Sequence, residues 1–427
     1  MKNKLVFGLV LLFLISAALH AQEIKFDGYI NSGLGFVYSS SAEQDDFLKA
    51  FGVDSEQNGF RFRLNGSYIN EKENAGVKFR FQSQSRLDQG YFSLPYVYGW
   101  MRFLNNIFYT AAGIVDDTSW QTTDWFIIDD VGEGLGALIK VTPITGLEAG
   151  CGIYLISQQA AGSNNILSYG GFLPNFSNII PKINDAKYVF SASYTMPDIF
   201  WLGASFRRKN KAGWKDTIDD IEKFGYFYEG RQESAQLIGE FRFLRVENLT
   251  AVAAVSLDRL EEFSARGEII VSETFAYKLD KLTLGLNAAE FLYNRKNTLN
   301  KKVIYDPSIL LNLWGSFAIN NIAPRLDLVY FAGGRSRLGG NENYMWHRRA
   351  FINREVYDIG TANNRSPSLF SLRPSVKFNI ASGTFIEIGD MFNYDFGNYD
   401  SAYGDSTDPQ KRSLVSNVFY VDFKWSY

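Results

Sequence analysis

Four cations stand at alternate positions on two neighbouring segments: Arg61 and Arg63, then Lys78 and Arg80. The stretch Asn70 to Asn74 between them is rich in turn-forming residues, so the two segments read as a hairpin. On that reading Arg61 and Arg63 face Lys78 and Arg80 across the turn, all on one polar face. A row of Arg and Lys side chains along a wet surface attracts anions. Arg102, Arg242, Arg325 and Asp327 lie on the polar phase of other segments and extend the same candidate set. A competing reading is charge balance. Asp27, Glu240, Asp258, Asp327, Glu387, Asp390 and Asp422 also fall on polar phases and would offset the cations.

Catalytic chemistry finds little material. After the first 21 residues the chain holds one histidine, His347, in the run Met345 to Arg349. It sits in the longest expected loop, where a single His reads as a solvated side chain and not as part of a triad. Metal binding needs several ligands, and no such grouping is visible. Adjacent aspartates occur at Asp45-Asp46, Asp116-Asp117, Asp129-Asp130 and Asp219-Asp220, all in expected loops. Neighbours on an extended chain point to opposite sides, so these pairs make poor acid–base dyads. Gly132 to Gly136 carries three glycines, but it opens a strand instead of joining a strand to a helix, which argues against a phosphate loop. The expectation is therefore no enzyme, no cofactor and no metal.

The elements that position these residues repeat with a period of two. Phe60, Phe62, Leu64 and Tyr68 alternate with Arg61, Arg63, Asn65 and Ser67, and Val77, Phe79 and Phe81 alternate with Lys78, Arg80 and Gln82. Such alternation marks β-strands with one apolar and one polar face. It recurs along most of the chain. Short connectors rich in Asn, Asp, Gly and Pro fall at 70–74, 105–106, 143–146, 197–198, 245–248, 280–281, 320–321 and 382–383. Long connectors fall between them, at 39–58, 88–95, 116–130, 157–185, 210–233, 259–266, 294–307, 333–367 and 397–412. Eight short turns and nine long loops imply an all-β fold of about 18 strands, with 16 as the alternative.

Met1 to Ala21 has the architecture of a secretory signal: Lys2 and Lys4, an apolar core from Leu5 to Ile15, then Ala17, Ala18 and Ala21. Cleavage is expected after Ala21 or Ala18, leaving one domain over 22–427. The chain that remains carries 41 Lys+Arg (43 less Lys2 and Lys4) against 46 Asp+Glu. That acidic balance argues against nucleic acid as a partner. Cys151 is the single cysteine, so no internal disulfide can form. Aromatic residues make up 16% of the chain, yet no later apolar run reaches the ~18 residues of a membrane helix.

The last strand closes the case for class. Val415, Phe419, Val421, Phe423, Trp425 and Tyr427 alternate with polar residues, and the sequence stops on the aromatic. This strand resembles the closing strand of bacterial outer-membrane β-barrels, and the chain as a whole resembles a porin-like member of that class. The resemblance implies a closed antiparallel transmembrane β-barrel in the outer membrane, with short periplasmic turns and long external loops. It further implies that Phe419, Val421, Phe423, Trp425 and Tyr427 are read by the assembly machinery, and that one long loop narrows the channel. Outer-membrane lipid and small hydrophilic solutes are the expected partners, and the fold is compatible with a homo-oligomer. No plug domain is expected before the first strand near Ile24, which counts against a siderophore receptor or a hydrophobic-substrate channel. The expected function is passive diffusion of small hydrophilic solutes or ions. The alternative is a surface adhesin or interaction protein that binds through its external loops.

Overall fold

The computed structural model describes residues 23–39, 47–50, 60–86, 89–117, 132–156, 186–208, 235–258, 260, 268–296, 303–305, 308–332, 365–366, 368–395, 398–399 and 414–427. The expected signal, His347 with its basic neighbours, and the loop at 157–185 lie outside them.

Eighteen long strands form the wall. The first six are β1 (Glu23–Ser39), β2 (Phe60–Ile69), β3 (Ala75–Arg86), β4 (Gln89–Phe103), β5 (Phe108–Asp117) and β6 (Gly132–Ile144). Next come β7 (Leu147–Ile156), β8 (Lys187–Met196), β9 (Phe200–Arg208), β10 (Ala235–Phe243), β11 (Leu249–Asp258) and β12 (Glu268–Leu279). The last six are β13 (Leu282–Lys296), β14 (Ser308–Phe317), β15 (Ile322–Ala332), β16 (Ser368–Ala381), β17 (Thr384–Asp395) and β18 (Leu414–Ser426). Each pairs antiparallel with its neighbours in sequence. β18 then pairs with β1, from Tyr29 opposite Ser426 to Ser39 opposite Ser416, and this pairing closes the sheet. Closure leaves no strand edge to lose its hydrogen bonds in lipid. Short extra strands extend the wall: Phe47–Ala50 pairs with β1, and Val303–Tyr305 with β13.

The eight short connectors coincide with the eight tight hairpins. Each holds a residue at positive φ, among them Glu73, Asn105, Asp198, Asn248, Asp280 and Asn320, with Gly146 and Gly383 in the other two. Asn, Asp and Gly tolerate that conformation, and two-residue hairpin loops need it.

Segments of several expected long loops are strand instead. Gln89 to Pro95 belongs to β4, and Asp116-Asp117 ends β5. Where β4 pairs with β3 the register shifts between Arg80 and Gln82 of β3, so that Leu94 and Pro95 of β4 together oppose Phe81. This is a bulge, and Pro is tolerated there. It breaks the period of two, which is why the sequence reads as a loop.

The apolar phase points outward. Phe26, Leu34, Phe190, Leu202, Leu313, Phe419 and Trp425 are exposed on the outer wall, while Asn31, Arg61, Lys140, Glu240, Asp327, Glu387 and Asp422 are buried inside. A one-residue slip of β2 and β3 would turn their four cations to lipid, at about 2–4 kcal/mol each near the midplane. Among the described residues no helix is long and apolar enough to cross a membrane. The barrel crosses with strands.

The polar lumen as candidate functional site

Every member of the cationic candidate set points inward, but the two hairpin strands do not set cation against cation. Arg61 lies opposite Gln84, Arg63 opposite Gln82, Asn65 opposite Arg80 and Ser67 opposite Lys78. The ladder is staggered, which corrects the expected face-to-face arrangement. Like charges directly across a strand pair repel, and the neutral partners separate them.

Those neutral partners also hold the guanidinium groups in place. Arg63 Nε donates to Gln82 Oε1 at 2.6 Å, and Arg80 Nε donates to Asn65 Oδ1 at 2.8 Å. Asn65 Nδ2 in turn donates to Asp27 Oδ1 at 2.5 Å. Tyr96 OH reaches Asn65 Oδ1 at 3.4 Å, and its ring lies under Arg80 at 4.7 Å. Asp116 stands 3.8 Å from Arg80. Tyr29 supports two cations, Arg63 at 5.4 Å and Lys424 at 4.8 Å. Lys78 is exposed, and so is Arg102, which lies over Trp100 and Tyr109.

A second kind of arginine stands elsewhere on the wall. Arg325 grips Asp327 with two hydrogen bonds, 2.7 Å from Nε and 2.6 Å from Nη2, and lies 4.0 Å over the Trp314 ring. Asn312 Nδ2 adds a bond to Asp327 at 3.2 Å. On β10, Arg242 pairs with Glu240 and lies 3.8 Å over Trp201. In both posts the tryptophan ring covers a lumen glycine. A Cβ at Gly203 would stand 2.2 Å from the Trp201 ring, and one at Gly285 would stand 2.2 Å from Trp314. Only glycine leaves room for a ring laid flat against the wall. The flat ring then offers its negative face to the guanidinium, an interaction of about 0.5–2 kcal/mol.

A third cluster sits at the closing seam. Glu387 on β17 lies directly opposite Asp422 on β18, and both are buried. Asn31 Nδ2 donates to both Asp422 oxygens at 3.3 Å, Tyr420 OH donates to Glu387 at 3.2 Å, and Lys377 pairs with Glu387 at 3.5 Å. Asp390 does not belong to the lumen, contrary to the polar phase assigned to it. It shares its phase with Ile388 and Phe392, faces outward and accepts a 3.3 Å bond from Asn417.

The inward aromatic rings are what the sequence reading overlooked. Beside the outward aromatics such as Phe26 and Phe419, Tyr29, Tyr96, Trp100, Trp201 and Trp314 share the phase of inward polar residues. Trp201 stands in phase with Ser205 and Arg207, and Trp314 with Asn312. That phase was the available signal. Farther from the short turns the same wall carries buried apolar residues, including Leu138, Val189, Ile238, Leu310 and Val329. Buried charged residues stand at both levels: Lys140, Glu240, Asp327, Glu387 and Asp422 toward the short turns, and Arg61, Lys187, Arg207 and Arg373 farther along the strands. No group of three or more potential metal ligands occurs among the described residues.

No family model matches the chain, and no curated protein matches its sequence. Solved structures do match in shape. The outer membrane protein OpdK from Pseudomonas aeruginosa superposes with a TM-score of 0.51 at 9% identity, over 96% of this chain and 100% of that one. Pseudomonas aeruginosa OccK2 (OpdF), solved in complex with glucuronate, superposes with a TM-score of 0.50 at 11% identity, over 95% and 99%. This chain has the fold of a porin-like outer-membrane β-barrel. Identity this low speaks for the fold alone, and the solute must be argued from the lumen of this barrel.

Proposed function

We propose that this barrel is a passive diffusion channel for small hydrophilic solutes, and that it favours anions. The supporting observation is the difference between its two kinds of arginine. Arg63 and Arg80 donate hydrogen bonds to neutral amides, with Asp116 3.8 Å from Arg80, whereas Arg242 and Arg325 are joined to carboxylates at hydrogen-bond distance. A neutral acceptor fixes a guanidinium without cancelling its charge. A carboxylate cancels it. Arg61, Arg63, Lys78 and Arg80, with Arg102 nearby, then give one side of the lumen a positive field, while Arg242, Arg325 and Asp327 shape the wall at little net charge. Rows of Arg and Lys in a pore select for anions.

A small carboxylate suits this ladder well, because the planar guanidinium fork matches a carboxylate in geometry. The glucuronate in OccK2 is a ligand of that kind, bound to a barrel of the same fold. The mechanism needs no catalytic residue. Lumen width and fixed charge set the rate for each solute. The adhesin alternative gains nothing from the comparisons. Insertion of the purified protein into a planar bilayer under a salt gradient tests the reading: discrete conductance steps with a reversal potential on the anion side are expected. Absence of conductance from correctly folded protein would remove the channel reading.

A further inference from the structure

The two tryptophan posts repeat one construction on different strands. On β9 and β10, Trp201 faces Arg242 and Gly203 faces Glu240. On β13 to β15, Gly285 faces Trp314, and Trp314 in turn faces Asp327. At each place an arginine and a carboxylate two positions apart on one strand hold each other beside the ring, Arg242 with Glu240 and Arg325 with Asp327. The guanidinium lies 3.8 Å over Trp201 and 4.0 Å over Trp314. From the wall inward the layers are therefore glycine, flat indole and guanidinium. Both glycines are buried while both rings are half-buried, so water reaches the ring but not the floor beneath it.

This order of layers has a consequence for the width of the lumen. Each layer takes about 3.5–4 Å, the ordinary contact between carbon atoms. A Cβ on either glycine would collide with the ring above it. The wall blocks retreat, so the ring would clear the Cβ by moving toward the barrel axis and carrying its guanidinium along. The posts stand on β9 and β14 and bound the lumen from two directions. The outer wall supplies a contrast. Gly66 lies under Phe79, directly opposite it, on the lipid-facing side of β2 and β3. There the ring packs beside Phe26 and fills the space a glycine leaves in a strand. In the lumen the ring borders water, and any inward shift is taken from the pore.

We infer that Gly203 and Gly285 set the size limit for solutes, by letting Trp201 and Trp314 lie flat with their arginines above them. The inference rests on the channel reading and deepens it. Size discrimination belongs to the posts, and charge discrimination to the ladder. A small hydrophilic solute passes when it fits the room left by the ring-mounted arginines.

The test reads the size limit as the largest polyethylene glycol that enters the pore and lowers its single-channel conductance in a planar bilayer. Gly203→Ala with Gly285→Ala should exclude the largest polymer that wild type admits, and should lower the conductance in plain salt. Gly66→Ala should leave both at their wild-type values. Adding Trp201→Ala and Trp314→Ala to the glycine pair should return the limit to wild type or above it. Heat-modifiable mobility shows that each variant is folded. Should the glycine variants fail to fold, Trp201→Ala with Trp314→Ala on the native glycines should admit a larger polymer than wild type. A conducting wild type whose limit is unmoved by both the glycine pair and the tryptophan pair would overturn the inference and leave the channel reading standing. A folded wild type that does not conduct would overturn both.

Discussion

The ladder on β2 and β3 and the posts on β9–β10 and β14–β15 use the same cation in opposite ways. In the ladder, Arg63 and Arg80 lie against Tyr29 and Tyr96 and donate to the side chains of Gln82 and Asn65. In the posts, Arg242 and Arg325 lie more closely on Trp201 and Trp314 and hold Glu240 and Asp327. Both arrangements fix a long side chain against the wall. On the proposed reading the ladder, whose Arg80 stands 3.8 Å from Asp116 and donates instead to Asn65, keeps more of its charge for a passing solute. A count of inward arginines thus says less about selectivity than the chemistry of each one's partner.

The largest expected effect is the one that removes both regions together. Phe423 to Tyr427 pair with β1 and with the start of β17, and Tyr427 exchanges main-chain hydrogen bonds with Gly28. Deleting these five residues should leave the barrel unclosed and abolish membrane assembly, seen as loss of heat-modifiable protein from the outer-membrane fraction. Normal insertion of the truncated chain would separate the closing strand from assembly.

The next effect divides the regions by stability. Asp327→Ala leaves Arg325 and Asn312 without their acceptor in a nearly dry part of the wall, and should cost about 3 kcal/mol. Asn65→Ala in the ladder removes a neutral acceptor from a wetter part and should cost about 1 kcal/mol. Urea unfolding in detergent measures both. Equal costs would mean that posts and ladder are held by the same kind of force. The smallest effect concerns the rings. Tyr96→Leu keeps an apolar side chain but removes the face under Arg80, and should cost about 0.5–1 kcal/mol with little change in conductance.

Much of this architecture was legible in the sequence. The short turns could be read because Asn, Asp and Gly mark positive φ locally, and the inward phase of Arg61, Arg63, Lys78 and Arg80 could be read because Phe60, Phe62, Phe79 and Phe81 hold the opposite phase. The stagger of the ladder could not. It depends on register, which the hairpin at 70–74 sets in three dimensions and the period of two leaves open. The bulge at Leu94-Pro95 hid the first half of β4 for a related reason: one extra residue reverses the phase. Asp390 was misplaced because residue type was followed over phase. The posts were missed because Trp201 and Trp314 are apolar by type and inward by phase, and the glycines beneath them are informative only once a neighbour's ring is known to cover them.

The most direct test of the ladder-and-post distinction is the reversal potential of single channels in a salt gradient, compared across three proteins. Wild type should prefer anions. Arg63→Glu with Arg80→Glu should move the preference to cations while the barrel stays folded, since both side chains are only half-buried and retain polar neighbours. Removing both members of each post, Arg242→Gln with Glu240→Gln and Arg325→Gln with Asp327→Asn, should leave the preference close to wild type, because cation and carboxylate already cancel. A ladder reversal that leaves the reversal potential unchanged at normal conductance, or a post variant that shifts it as far as the ladder variant does, would contradict the account.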